Sequence, residues 1–258
     1  MPDYPPIVIN CHAHPHGENE VEEKRDLWAS MNYRRTCVSG RDNELVARWV
    51  ERYPDFVIGL WMLDEARGPE QMDEAHERGF RGAKVINTKL PYSHEAYFPF
   101  YQRCEALDAP ILFHTGILAL KNSRQENYAP IHLGTICGAF PKLKVIGAHF
   151  GLQWYWEAIM TARPYENLYY DLSGGTWRNF PITFFRHWFE RVERNKVNDE
   201  PYMDWSLAEK LVFGSDNPDD TLEFYVNLLH GLGVPRDVQD RIYYLNACEI
   251  FGLKPEQL

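Results

Sequence analysis

Eight short apolar runs, rich in β-branched residues and separated by amphipathic stretches, constrain the fold of this chain most strongly. The runs are Ile7–His12, Arg35–Ser39, Phe56–Met62, Gly82–Ile86, Pro110–His114, Lys144–His149, Asn167–Leu172 and Lys210–Asp216. Each is too short and too uniformly apolar to be a strand with one wet face, and strands buried on both faces belong to parallel sheets. The segments between them read as helices. Asp42–Tyr53 gathers Leu45, Val46, Trp49 and Val50 on one face behind a cap at Asp42. Ser93–Leu107 opens at a Ser93 cap, Ile131–Phe140 stops at Pro141, and Asp219–Leu232 and Val234–Tyr244 close the chain. Parallel strands with helical crossovers, repeated eight times, predict an α/β fold, a (β/α)8 TIM barrel. Its first strand should contain Val8–His12 and its last Leu211–Ser215. No linker, repeat or low-complexity stretch interrupts the pattern, so residues 1–258 are expected to form a single domain. The long connections after the first run and from Thr176 to Glu209 should shape the pocket.

The sequence is 45% hydrophobic and 25% charged, which excludes a disordered chain. Lys and Arg number 27 against 37 Asp and Glu, giving a formal net charge of −10. An acidic chain without a basic run is a poor partner for nucleic acid or an anionic membrane. No stretch approaches the roughly 20 apolar residues of a membrane span. Met1–Pro6 is polar and proline-rich with no basic segment ahead of Ile7, so no signal peptide is expected. The 5 cysteines are scattered without CxxC spacing and read as reduced core thiols of a cytoplasmic protein.

Polar residues recur where the runs end. The first ends in His12-Ala13-His14, the fifth in His114, the sixth in His149 and the eighth in Asp216. Residues two apart on a strand share a side, so His12 and His14 both enter the barrel at its C-terminal mouth, where barrel active sites lie. Buried polar groups need partners, and four histidines with an aspartate on one rim have the composition of a zinc-type site. Buried histidines and a loop histidine are the bland alternative for any one of these residues. Five coincidences at the same end of five runs argue against it for the set.

The motifs Asn10-Cys11-His12-Ala13-His14-Pro15, Gly79-Phe80-Arg81-Gly82-Ala83-Lys84, Gly147-Ala148-His149-Phe150-Gly151, Asp171-Leu172-Ser173, Phe213-Gly214-Ser215-Asp216-Asn217-Pro218 and Asn246–Leu253 follow in that order. As a set they resemble the amidohydrolase superfamily, in its amidohydrolase-related (amidohydrolase 2) branch that includes the aminocarboxymuconate-semialdehyde decarboxylase-like proteins. The resemblance implies one metal-dependent barrel domain in which His12, His14, His114 and Asp216 hold one divalent ion, zinc by preference and manganese as the alternative. It implies that His149 acts on substrate or water rather than as a ligand, and that Asp216 also accepts a proton from water. Binuclear members carry a carbamylated lysine where Lys84 stands; here one metal is expected, with Lys84 outside its ligands.

His16, Lys84, Asn87, Trp154 and Arg178 are the further candidates for substrate contact, with Arg178 suited to a carboxylate. Each also has an ordinary reading, as a solvated loop residue, a buried ion pair or a helix-packing ring. The substrate is expected to be a small molecule, with no nucleic acid or membrane partner; a homo-oligomer is compatible with this reading. Two reactions fit the shared machinery. One is hydrolysis of a small carboxylated lactone, amide or ester by a metal-activated water. The other is non-oxidative decarboxylation of a small aromatic or enoic acid.

Overall fold

The computed structural model describes residues 4–118, 120–174, 180–192, 201–217 and 219–258. Eight parallel strands form one sheet in chain order: β1 (Val8–Ala13), β2 (Tyr33–Val38), β3 (Val57–Met62), β4 (Gly82–Val85), β5 (Ile111–Phe113), β6 (Val145–Gly147), β7 (Leu168–Asp171) and, beyond an inserted hairpin, β10 (Leu211–Val212). The hairpin is β8 (Glu190–Val192) with β9 (Pro201–Met203), paired antiparallel. The barrel closes where the Cys11 N–H donates to the Phe213 carbonyl at 2.8 Å. The expected TIM-barrel architecture is therefore present.

Alternation along the strands produces two apolar layers. Ile9, Cys11, Ile58, Leu60, Leu112 and Ile146 point inward and fill the barrel. Residues on the other face, such as Val8, Val57, Ala83 and Phe113, pack against the surrounding helices. Helix α10 (Asn246–Phe251) plugs one end, placing Ala247, Cys248, Ile250 and Phe251 against the inner layer. Tyr169, early in β7, donates to Glu249 of α10 at 3.1 Å, so α10 covers the N-terminal end of the strands and leaves the C-terminal mouth for chemistry. All five cysteines are buried and free. Among the described residues no helix is long and apolar enough to cross a membrane.

Helix α2 (Asn43–Arg52) starts as expected, with the Asp42 side chain accepting the Glu44 N–H at 2.9 Å. Three expectations need correction. Helix α4 spans only Phe98–Ala106 behind a 3-10 turn at Glu95–Tyr97, and the cap is the ring of His94, which accepts the Ala96 N–H; Ser93 instead bonds His132. The helix expected over Val234–Tyr244 is α9 (Arg236–Asp240), which continues through a π-turn at Arg241–Leu245 into α10. The last barrel strand ends at Val212 rather than Ser215 because the chain there leaves β7 and bonds to β1: the N–H groups of Ser215 and Asp216 both donate to the His12 carbonyl. Helices α1 (Glu20–Ser30), α3 (Gln71–Glu77), α6 (Tyr155–Ala162) and α7 (Ile182–Phe189) fill further spacers, as the alternation implies without giving their bounds, and the β8–β9 hairpin, which the pattern does not imply, completes the elements that bear on the site. In α1 only Val21 and Trp28 are buried, too few to raise a helical period.

Candidate metal centre at the barrel mouth

The C-terminal strand ends bring the predicted histidines together. His12 Nε2 and His14 Nε2 lie 2.8 Å apart. Asp216 Oδ1 is 3.6 Å from the first and 3.7 Å from the second. Donor atoms of His12, His14 and Asp216 all fall within 4.8 Å of one another, and those of His12, His149 and Asp171 form a second, deeper group of the same span. His114 belongs to neither group but is adjacent, its ring centroid 4.9 Å from that of His149.

The local chain geometry explains the convergence. Asn10 accepts the N–H groups of His12 and Ser215, tying the first strand to the loop that carries Asp216. Asn217 clamps His14 from the other side, accepting its N–H at 2.7 Å and donating to its carbonyl. His149, Phe150, Asp216 and Asn217 all have positive φ, so the rim is built from strained turns that re-aim side chains into the mouth.

Hydrogen bonding fixes which ring nitrogens carry protons. His12 Nδ1 lies 2.9 Å from Asp171 Oδ2, an acceptor, so it donates. His14 Nδ1 lies 3.1 Å from the Ser39 carbonyl, to which only an N–H can bond, and 3.0 Å from the Ser39 hydroxyl, so in the tautomer that serves the carbonyl it donates. Both Nε2 atoms are then lone-pair nitrogens facing each other. Two such atoms at 2.8 Å repel unless a cation lies between or beside them; the Lys84 ammonium, 3.1 Å from His12 Nε2, is one such group, and a metal ion facing both lone pairs would be another. His114 Nε2 is buried and has no hydrogen-bond partner among the described residues. Carboxylate, imidazole lone pairs and an orphaned imidazole nitrogen form a donor set that fits a divalent cation of the zinc type.

Burial lowers the proton affinity of His14, helped by the nearby His12, and that of His114, helped by His149. Burial likewise lowers His149. All three are thereby biased to the neutral form that ligates metal or accepts a proton. Lys84, wholly buried, places Nζ 3.1 Å from His12 Nε2, and burial lowers it to about 8 against the opposing pull of Asp216 and Asp171. No carboxylate lies within ion-pair distance of it among the described residues, so its neighbour is an imidazole and not the partner of a buried ion pair.

A cavity of about 650 Å³ opens from His14 and Asp216 to solvent. His16 lines it, with its ring 3.4 Å from the Asn217 amide. Its apolar wall is Pro15, Leu45, Met62 and Ile86. Arg41, from the loop after β2, lines it too and is shared with a second cavity that contains Asn87 and Lys89. Asn87 accepts the Tyr128 hydroxyl proton at 3.1 Å. Trp154 is half-buried at the N-terminal cap of α6 and is not among the residues lining either cavity. Arg178 lies outside the described residues.

Sequence reasoning missed Asp171 as a site residue, although it ends β7 as the histidines end their runs. It also missed Ser39, which ends the second run, and Asn217 and Arg41, which sit on loops where no periodicity marks them.

Residues 26–253 match the amidohydrolase family model. Among solved structures, an uncharacterised TIM-barrel protein from Bordetella bronchiseptica has a TM-score of 0.73 at 20% identity, covering 95% of this chain and 98% of that one. A 2,6-dihydroxybenzoate decarboxylase in complex with 2,6-dihydroxybenzoate follows at TM-score 0.66 and 15% identity, with coverage of 96% and 99%. A probable 2-pyrone-4,6-dicarboxylic acid hydrolase from Acinetobacter baumannii has a TM-score of 0.65 at 14% identity, with coverage of 95% and 99%. No curated protein matches the chain.

Proposed function

The chain belongs to the amidohydrolase family, and on that premise we propose that it is a metal-dependent hydrolase of a small carboxylated lactone, amide or ester. The observation that carries this reading is the pair of imidazole lone pairs, with Asp216 beside them, at the edge of an open cavity. His12, His14, Asp216 and the adjacent His114 would hold a single ion, zinc by preference. That ion supplies Lewis-acid polarisation of a carbonyl and makes water more acidic. Asp216, part-exposed toward the cavity, takes the proton of the attacking water at a carboxylate oxygen. His149 keeps its Nδ1 proton on the Ser173 carbonyl at 3.2 Å, so its Nε2 lone pair can take the proton that Asp216 has received and pass it to the leaving group.

Arg41 carries the carboxylate specificity in this reading. Its guanidinium can grip a substrate carboxylate with two parallel bonds while Leu45, Met62 and Ile86 cover an apolar ring. Arg41→Met is expected to raise KM for a carboxylated substrate about 10–100-fold, the effect of losing a hydrogen-bonded charge pair of roughly 1.5–3 kcal/mol. The kcat should change much less. An equal loss on the uncharged ester of the same substrate would show that Arg41 does not read the charge.

The apolar wall favours one second reading, decarboxylation of an aromatic or enoic acid with the ring against Met62 and Ile86. Metal analysis of purified protein, followed by a panel of lactones and aromatic acids scored separately for ring opening and carbon dioxide release, distinguishes them. About one equivalent of zinc with ring opening supports the hydrolase. Carbon dioxide release assigns the second reading, and a second equivalent of metal would bring Lys84 into the ligand set. Protein that takes up no divalent ion overturns both.

A further inference from the structure

We infer that Asp171 is a positioning residue that sets the tautomer of His12 and the placement of His149 at once, coupling the metal-facing and substrate-facing halves of the site. The inference rests on the metal reading above and adds to it a residue outside the proposed ligand set. Asp171 is fully buried at the end of β7. Its Oδ2 lies 2.9 Å from His12 Nδ1. Its Oδ1 accepts the His149 N–H at 2.9 Å and the Ser173 N–H at 2.8 Å. The Ser173 hydroxyl lies 3.1 Å from His12 Nδ1 and 2.9 Å from His149 Nδ1, bridging the two imidazoles. Two main-chain N–H groups occupy Oδ1, so the carboxylate meets His12 through Oδ2 as an acceptor.

An acceptor-only group has a specific consequence for His12. It obliges Nδ1 to carry the proton, and therefore leaves Nε2, the atom facing His14, with its lone pair. The same carboxylate pins the backbone of His149, whose φ of 63° is a conformation a β-strand end would not otherwise adopt. The surroundings leave room for an aspartate and little else. A Cβ on Gly214 would sit 2.8 Å from Asp171 Oδ2, and one on Gly174 would sit 3.1 Å from His149 Nδ1.

Asp171→Asn keeps the shape and changes the chemistry. One side-chain oxygen must serve the N–H groups of His149 and Ser173, which turns the amide NH₂ toward His12 Nδ1. A donor there moves the His12 proton to Nε2, where it blocks metal. The test is ¹⁵N-histidine NMR of metal-free full-length protein for the tautomer, with zinc titration by equilibrium dialysis on the same samples. In wild type, His12 is expected as the Nδ1–H tautomer. In Asp171→Asn it should become the Nε2–H tautomer, and zinc affinity should fall about 10–100-fold, the usual effect of removing a carboxylate behind a ligating histidine. Circular dichroism checks that the variant is folded. Ser173→Ala, which leaves the carboxylate in place, should keep the His12 tautomer.

Unchanged tautomer or zinc affinity in folded Asp171→Asn overturns the inference. If that variant fails to fold, the wild-type spectrum alone decides, because a wild-type His12 protonated at Nε2 overturns it equally. Wild-type protein that shows the Nδ1–H tautomer but takes up no zinc overturns the metal reading and the claim on affinity, while the tautomer shift still reads the hold of Asp171 on His12.

Discussion

His149→Asn is expected to keep its metal and its fold and to lose about 10²–10⁴-fold in turnover, the range for a lost general acid–base group. His12→Ala should lose metal and activity together. The two residues are neighbours, with ring centroids 5.2 Å apart, so proximity alone cannot separate their roles; their bonding does. His12 is fully buried, with Nε2 against His14 Nε2 and Nδ1 on Asp171, the posture of a ligand. His149 instead bonds the Ser173 carbonyl through Nδ1 and is held through its own main-chain N–H. Asparagine suits the substitution because position 149 has φ 63° and ψ 15°, a left-handed conformation that asparagine tolerates better than other non-glycine residues. Bound zinc measured after gel filtration, with turnover on the substrate found in the panel, checks the pair. Loss of metal from His149→Asn as complete as from His12→Ala would make His149 a ligand. Full activity in His149→Asn would make it a buried core histidine.

The part of this site that could be read from sequence follows one physical rule, that a polar residue ending a buried apolar run needs a reason to be there. His12, His14, His114, His149 and Asp216 obey it, and the structure gathers them on one rim. Asp171 ends the fully buried strand Leu168–Asp171 but stands one residue inside the apolar run Asn167–Leu172, so in the sequence it shows only as part of a motif. Arg41 and Asn217 were out of reach for a different reason. Their positions come from loop turns, such as the φ of 106° at Asn217, and no periodic pattern encodes a turn of that kind. The barrel itself was legible because burial on both faces leaves a strong apolar signature. The short final strand was not, since Phe213–Ser215 is as apolar and buried as a strand but bonds across the seam to β1 instead of back to β7.

Gly116→Ala is expected to cost about 3–5 kcal/mol, because it combines two of the mechanisms behind large mutational effects, backbone strain and overpacking. Gly116 follows His114-Thr115 at the end of β5 and has φ +95°, which an L side chain rarely adopts. An added Cβ would lie 2.7 Å from Leu152 Cβ, 2.8 Å from Leu152 N and 2.9 Å from Leu152 O. Two of those atoms are backbone, so no side-chain rotation relieves the contact. Leu152 also donates its N–H to the His149 carbonyl at 3.0 Å, so a displaced Leu152 pulls on the turn that presents His149. Stability and catalysis should therefore fail together. At roughly 2–4 °C per kcal/mol for a chain of this size, Tm should drop by about 6–20 °C. Gly233→Ala is the control. It too has positive φ, +72°, as the cap of α8 (Thr221–Leu232), but an added Cβ there meets nothing within 4 Å. Its cost should be the backbone part alone, about 1 kcal/mol, with His149 undisturbed. Thermal melts of the two variants, with zinc content and turnover on the same preparations, test the separation; equal shifts in Tm would show that left-handed strain, and not the collision with Leu152, makes position 116 intolerant.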